Sequence, residues 1–190
     1  MVFVDPLTIM LVAVAASTYL IALYLYRIAK GRRDFDDIAI ASFFTGLFDF
    51  ISGFLISFTW PFPGNLSAYN MLFGDPMLFL GIIMLAGSVM LYRKINPKVV
   101  SIPAFILGLY LLVETYAIPT LGLEPGAYFI PAFSFYLFAT LSAIFSPVVY
   151  LDPKKNAYAY YFVAALLIIT ALIAIFIGCG GIYEHLASPP

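Results

Sequence analysis

Six apolar runs, each about the twenty residues a helix needs to cross a bilayer core, divide the chain: Leu7 to Ala29, Ile38 to Trp60, Met77 to Leu91, Val99 to Thr120, Ala127 to Tyr150 and Ala157 to Gly180. The third is the shortest and is expected to borrow from Tyr92 or from Met71 to Phe73. This pattern predicts an all-α bundle of six transmembrane helices, spanning about 7–29, 38–60, 75–93, 98–120, 126–150 and 157–181. The connections are too short for a second domain, so 1–190 reads as one membrane unit. The first run follows an acid and carries its positive charge on its far side, so it reads as a span and not as a cleavable signal.

The second run is the most polarised. At 100° per residue, Ser42, Thr45, Gly46, Ser52, Gly53, Ser57, Thr59 and Trp60 gather around Asp49, with Ile56 the one apolar intruder. Phe43, Phe44, Leu47, Phe48, Phe50, Ile51, Phe54, Leu55 and Phe58 fill the other half. Lipid tails offer no hydrogen bonds, so the small and polar face should turn toward other helices and the phenylalanine face toward lipid.

Charge adds an orientation. All nine Lys and Arg residues lie at alternate span ends: Arg27, Lys30, Arg32 and Arg33, then Arg93, Lys94 and Lys98, then Lys154 and Lys155. The positive-inside rule places both termini and the loops 61–75 and 121–126 outside a cell membrane. The basic clusters are topology determinants near anionic headgroups, not a nucleic-acid surface. Tyr24, Tyr26, Tyr158, Tyr160 and Tyr161 at inner ends, with Trp60 and Tyr183 at outer ends, fit interfacial belts. Asp5-Pro6, Asp36-Asp37, Asp75-Pro76, Asn96-Pro97, Glu124-Pro125 and Asp152-Pro153 precede the six spans and read as helix caps. Proline and glycine at both outer turns read as turn chemistry rather than as a duplicated hairpin.

Two acids lie inside spans, Asp49 and Glu114, with no base at their depth. The functional reading of Asp49, with Thr45 and Ser52 on its face, is a proton or cation site; the structural one is a neutral acid tying helices together through hydroxyls. Glu114 favours the structural reading, with Tyr110 one turn away as its expected partner. The loop leaving the second span carries Trp60, Tyr69, Asn70 and Asp75, candidates for a lid or docking surface, although Asp75 also reads as a cap.

Other chemistry is sparse. The single histidine, His185, lies beyond the last span, so neither a histidine metal centre nor a serine–histidine hydrolase has its parts, and no phosphate-binding glycine loop is present. No metal or cofactor is expected. Cys179, within Gly178 to Gly181, reads as a small residue where the last helix packs closely and ends. The 19 Phe and 14 Tyr residues read first as lipid-facing and belt residues, and second as a quinone or lipid-tail cleft.

The run from Ile56 to Asn65 (ISFTWPFPGN) followed by Tyr69 to Pro76 (YNMLFGDP) resembles a family of small polytopic membrane proteins of archaea and bacteria, a domain of unknown function. Thr59, Trp60, Pro61, Pro63, Gly64, Tyr69, Asn70, Phe73, Gly74 and Pro76 carry the resemblance, and Leu66 to Ala68 lengthen the loop relative to that pattern. The resemblance implies the fold and no activity or catalytic residues. The expected role is therefore non-enzymatic: a structural or accessory subunit of a membrane complex, with other membrane subunits or further copies of itself as partners within the lipid bilayer. The alternative is a small permease or channel for protons, cations or a small solute, using Asp49 and Glu114. A lipid-acting membrane enzyme comes third, because no nucleophile and base pair is visible.

Overall fold

The computed structural model describes residues 6–187. Six helices make the bundle: α1 (Leu7–Ala29), α2 (Asp36–Thr59), α3 (Asp75–Tyr92), α4 (Ser101–Thr120), α5 (Phe129–Ile144) and α6 (Ala157–Ala187). Each is long and apolar enough to cross a membrane once its flanking turns are counted. The borrowing expected of the third span is made by a π turn, Asn70–Gly74, that runs directly into α3. The α5 helix is extended by 3₁₀ turns at Gly126–Tyr128 and Ser146–Tyr150.

Consecutive helices pack as a closed ring, α1 against α2 and so on to α6, which returns to α1. The ring is uneven. The α2–α3 and α1–α6 contacts are the most extensive, whereas α1–α2 and α3–α4 are thin seams. One end carries the basic turns, where Arg27 pairs with Asp37 through two 2.7 Å bonds and Lys94 pairs with Asp36. Both pairs are open to solvent, where water and salt screen them, so they hold turns rather than the bundle.

The polarity of α2 orients it as its sequence predicts. Ser42, Gly46, Asp49, Gly53 and Ile56 are buried, while Phe43, Phe44, Leu47, Phe48, Ile51, Phe54, Leu55 and Phe58 are exposed on the bundle surface. The buried stripe repeats every seven residues, Ala39, Gly46, Gly53, and Gly74 of the π turn with Gly81 and Ser88 of α3 answers it. A seven-residue repeat keeps one seam facing its partner along a left-handed crossing, and small residues on it let two backbones approach closely. A Cβ added at Gly53 would stand 2.2 Å from the Leu78 amide nitrogen, and one at Gly81 would stand 2.3 Å from that of Phe50. At the basic end the Ser88 hydroxyl donates to the Ala39 carbonyl at 2.7 Å.

Three expectations are corrected. The helix α6 does not end at Gly178–Gly181 but continues to Ala187, because Gly178 and Gly181 serve close approach: Cβ atoms there would meet Thr8 of α1 at 3.1 and 2.6 Å. The capping device is mostly absent as a side-chain bond. Asn96 does accept the Lys98 amide at 3.1 Å, and Asp152 accepts the Lys154 amide in a turn before α6. Asp75 instead opens α3 and bonds a side chain of α4, and Glu124 sits at φ 57° with no cap bond. Asp5 lies outside the described residues. Finally, Tyr110 is the partner of Asp75, not of Glu114.

Candidate functional site

The ring of helices encloses a cavity of about 210 Å³ that all six contribute to. It runs from Tyr24, Pro97, Ser101 and Val149 near the basic end to Leu72, Phe73 and Tyr136 toward the opposite end. Leu80, Ile83, Met84, Leu107, Leu111 and Leu167 form much of its wall. Hydroxyls interrupt that wall at Thr18, Ser42, Ser88, Ser101, Ser142, Ser146 and Thr170, but several are already committed to backbone carbonyls. Among the described residues that line the cavity none is charged. Gly87 lies on the α3 side, and a Cβ there would meet nothing within 4 Å.

Asp49 stands apart from this space. It is fully buried, its Oδ2 accepts the Ser17 hydroxyl of α1 at 2.5 Å, and its Oδ1 has no hydrogen-bond partner. The bond therefore stitches the thin α1–α2 seam. Thr45 returns its hydroxyl to the Ala41 carbonyl of its own helix at 3.2 Å, and Ser52 is half-buried. Asp49 and Glu114 are not brought together: α2 and α4 are not packed neighbours, and the acid next to Glu114 is Asp75.

Glu114 belongs to a different group at the end opposite the basic turns. It is 7% exposed and neither carboxylate oxygen has a hydrogen-bond partner. Around it stand Asp75 of α3, whose Oδ2 accepts the Tyr110 hydroxyl at 2.8 Å, and Tyr136 of α5, whose hydroxyl donates to the Leu72 carbonyl of the π turn. Tyr136 in turn has Tyr69 and Glu124 in its electrostatic neighbourhood. Tyr69 donates to Glu124, and burial together with that carboxylate pushes the Tyr69 hydroxyl up to about 12. Burial raises the Glu124 carboxyl above its ordinary value, and the Tyr69 bond offsets part of the rise. Tyr136 was not legible as a site residue, since nothing separates it in sequence from thirteen other tyrosines; Ser17 was equally hidden on α1.

The four loop candidates do not form one surface. Trp60 ends α2 in a left-handed conformation, φ 49° and ψ 56°, and is half exposed. Asn70 is fully buried: its Oδ1 accepts the Phe62 amide at 3.0 Å, and its Nδ2 donates to the carbonyls of Phe62 at 2.8 Å and Ser67 at 3.0 Å. Asn70 thereby folds residues 62–67 back over the helix ends, and Tyr69 packs between the rings of Phe62 and Phe73. Asn70 is thus a clasp inside the loop, and Asp75 a link between α3 and α4.

Residues 1–188 match the model of a family described as "Protein of unknown function (DUF981)". The chain belongs to the DUF981 family. The match agrees with the expected membership of an uncharacterised family and gives this DUF981 protein a family without an assigned activity. No curated protein and no solved structure matches it. Among its described residues no three His, Cys, Asp or Glu side chains gather to hold a metal ion.

Proposed function

We propose that this DUF981 protein is a non-catalytic membrane protein that holds an apolar chain, such as the tail of a lipid or isoprenoid, inside its helix ring. The cavity carries the reading. A volume of about 210 Å³ exceeds the roughly 150 Å³ of an engineered apolar cavity that stays dry and takes up benzene. Binding pockets for small molecules are mostly apolar, with a few placed polar groups. An uncharged wall of Leu, Ile, Met and Phe suits a hydrocarbon and not a hydrated ion. For the same reason the permease alternative loses support, because Asp49 lies off the cavity wall and is committed to Ser17.

The test is retention. Protein extracted in mild detergent, extracted again with organic solvent and analysed by mass spectrometry should yield a molecule bound in stoichiometric amount. Ala104→Trp, which fills the cavity from the α4 side, should release it while leaving helix content unchanged. Wild type that retains nothing, or an Ala104→Trp variant that retains as much as wild type, refutes the reading.

A second reading, the accessory subunit, rests on the row of exposed phenylalanines on α2, Phe43, Phe44, Phe54 and Phe58, which would pack against another membrane helix as readily as against lipid. Recovery of the chain from its own membrane in a complex of fixed composition supports it; a monomer under gentle extraction removes it. In either reading the basic end faces the cytoplasm, so a cysteine placed at Ser67 is labelled from outside the cell.

A further inference from the structure

The wall of the cavity changes along the bundle axis. Every Ser and Thr that lines it lies toward the basic end or at mid-depth, and none lies at the opposite end. Ser42 stands six residues into α2 from Asp36, Ser88 four residues before Tyr92 at the end of α3, Ser101 opens α4, and Ser142 and Ser146 lie where α5 runs out. At about 1.5 Å per residue, Ser42 and Ser88 are roughly 9 and 6 Å from the helix ends that carry the basic turns. Thr18 and Thr170 sit near the middle of α1 and α6. Beyond them the wall is Met10, Leu11, Leu72, Phe73, Met77 and Phe135, and the one hydroxyl there, that of Tyr136, donates to the Leu72 carbonyl. Serines from four consecutive helices thus form a collar at one end of a hydrocarbon-walled space.

The collar has a definite hydrogen-bonding character. Ser88 donates to the Ala39 carbonyl, Ser101 to that of Lys98, Ser142 to that of Phe138 and Ser146 to that of Ser101, at 2.7 to 3.0 Å. A hydroxyl whose proton is so engaged keeps its lone pairs, so these four offer acceptors only. Ser42 differs. It is buried, its hydroxyl makes no hydrogen bond among the described residues, and its oxygen is not one of the sealed, unpartnered atoms, which belong to Asp49, Ser57 and Glu114. The Ser42 hydroxyl therefore opens on the cavity that the residue lines, with its proton free. One donor and several acceptors, with no charge on the wall, match a neutral hydroxyl, which accepts and donates at once. An ether or ester can only accept. A carboxylate, phosphate or ammonium would leave water without an opposite charge on the wall to meet it.

We propose that the cavity seats a long-chain alcohol, or another single-chain amphiphile with a neutral hydroxyl head, with the hydroxyl in the serine collar at the basic end and the chain running toward Leu72 and Phe135. The assignment rests on the cavity holding an apolar chain, and adds the chemistry of that ligand's head and the direction in which it lies. Ser42 donates to the ligand oxygen, and the ligand's own proton goes to a serine oxygen of the collar.

The experiment is competition photolabelling in nanodiscs. Two dodecanol probes carry a diazirine, one beside the hydroxyl carbon and one near the far end of the chain. Unlabelled dodecanol, methyl undecyl ether of the same length and dodecanoate compete at equal membrane mole fraction. Expected are saturable labelling by both probes, the head-side probe marking residues 97–104 and 142–149 and the tail-side probe marking 72–77 and 133–136. Dodecanol should compete about tenfold better than the ether or dodecanoate, an advantage that falls about threefold or more in Ser42→Ala and is kept in Gly180→Ala. Equal competition by alcohol and ether, or stronger competition by dodecanoate, with both probes excluded by Ala104→Trp, overturns the hydroxyl head and leaves the apolar cavity standing. Probes that mark each other's peptides overturn the direction, and a Ser42→Ala advantage equal to that of wild type overturns the Ser42 contact. Absence of saturable labelling by either probe overturns both this assignment and the cavity reading. The competitors are compared in wild type, so that result holds whether or not Ser42→Ala folds.

Discussion

Gly53→Ala is the sharpest test of how the bundle is held. The added Cβ would stand 2.2 Å from the Leu78 nitrogen, 2.6 Å from its Cα and 2.8 Å from the Met77 carbonyl carbon, all backbone atoms with no side chain to swing aside. Ordinary contact begins at 3.4 Å, so α2 and α3 must part by about 1 Å. A gap of roughly 0.5 to 1 Å already forfeits a quarter to a half of a dispersion contact, and here it runs along the most extensive interface of the molecule. Overpacking of this kind costs about 1 to 3 kcal/mol, with the upper part of that range expected where backbone meets backbone. Alanine returns up to about 1 kcal/mol of helix propensity, leaving a net loss of about 2 kcal/mol. Gly180→Ala supplies the control: nothing lies within 4 Å of its Cβ, so it should be neutral or slightly stabilising. Unfolding of both variants by sodium dodecyl sulfate titrated into mild-detergent micelles, followed by circular dichroism or tryptophan fluorescence, reads the difference. If Gly53→Ala unfolds at the same detergent fraction as Gly180→Ala, the close approach of the two helices is not what holds them.

Three further outcomes are expected. Asn70→Ala removes three hydrogen bonds that a fully buried amide makes, and should cost about 2 to 3 kcal/mol and open the 61–69 loop to proteolysis; an unchanged digestion pattern argues against the clasp. In a double-mutant cycle, Ser17→Ala and Asp49→Asn should couple by about 1 kcal/mol, as interhelical hydrogen bonds in membranes do, and additivity within error would show that the α1–α2 stitch contributes nothing. Glu124 binds its proton more tightly when folded than when unfolded, so the penalty of charging it is absent below the ordinary glutamate value of about 4.3 and is fully felt once pH has risen past its raised folded value. The contact between the two loops should therefore tighten as pH falls through that window, measured by hydrogen exchange of residues 121–125, and Glu124→Gln should flatten the dependence.

What could be read from the sequence divides along a physical line. The facing of α2 was legible because a helix with hydroxyls, glycines and one acid on one side and phenylalanines on the other has a single low-energy orientation in lipid, and the burial of Ser42, Gly46, Asp49 and Gly53 follows it. The seven-residue spacing of those small residues was present in the same letters, although its partner row on α3 becomes meaningful only once the hairpin is closed. The cavity was not legible. In a membrane the wall of an internal space and the lipid-facing surface are built from the same Leu, Ile and Phe, so hydropathy cannot separate Leu111, which lines the cavity, from the exposed Leu112 beside it. Asp75 misled for a related reason: its position before a proline fits a local cap, whereas its partner Tyr110 lies 35 residues away, and long-range bonds leave no trace in spacing. Tyr136 and Ser17 were hidden in the same way.

The rows of small residues on α2 and α3 also bear on how the molecule is assembled. Both rows lie between Ala39 and Ser88, a continuous stretch joined by a single loop, so the tightest interface in the bundle is complete within one helical hairpin. Such a hairpin has both its partners in hand before α4 follows in the chain, whereas the principal partner of α1 is α6, five helices further on. Until α6 follows, the first span is held through the thin α1–α2 seam by the Ser17–Asp49 bond, the Arg27–Asp37 pair at the basic end and the packing of Met10 in one cluster with Ile56 and Met77. In that interval the buried aspartate joins the first two spans, and once the ring has closed the same bond goes on holding one of its thin seams.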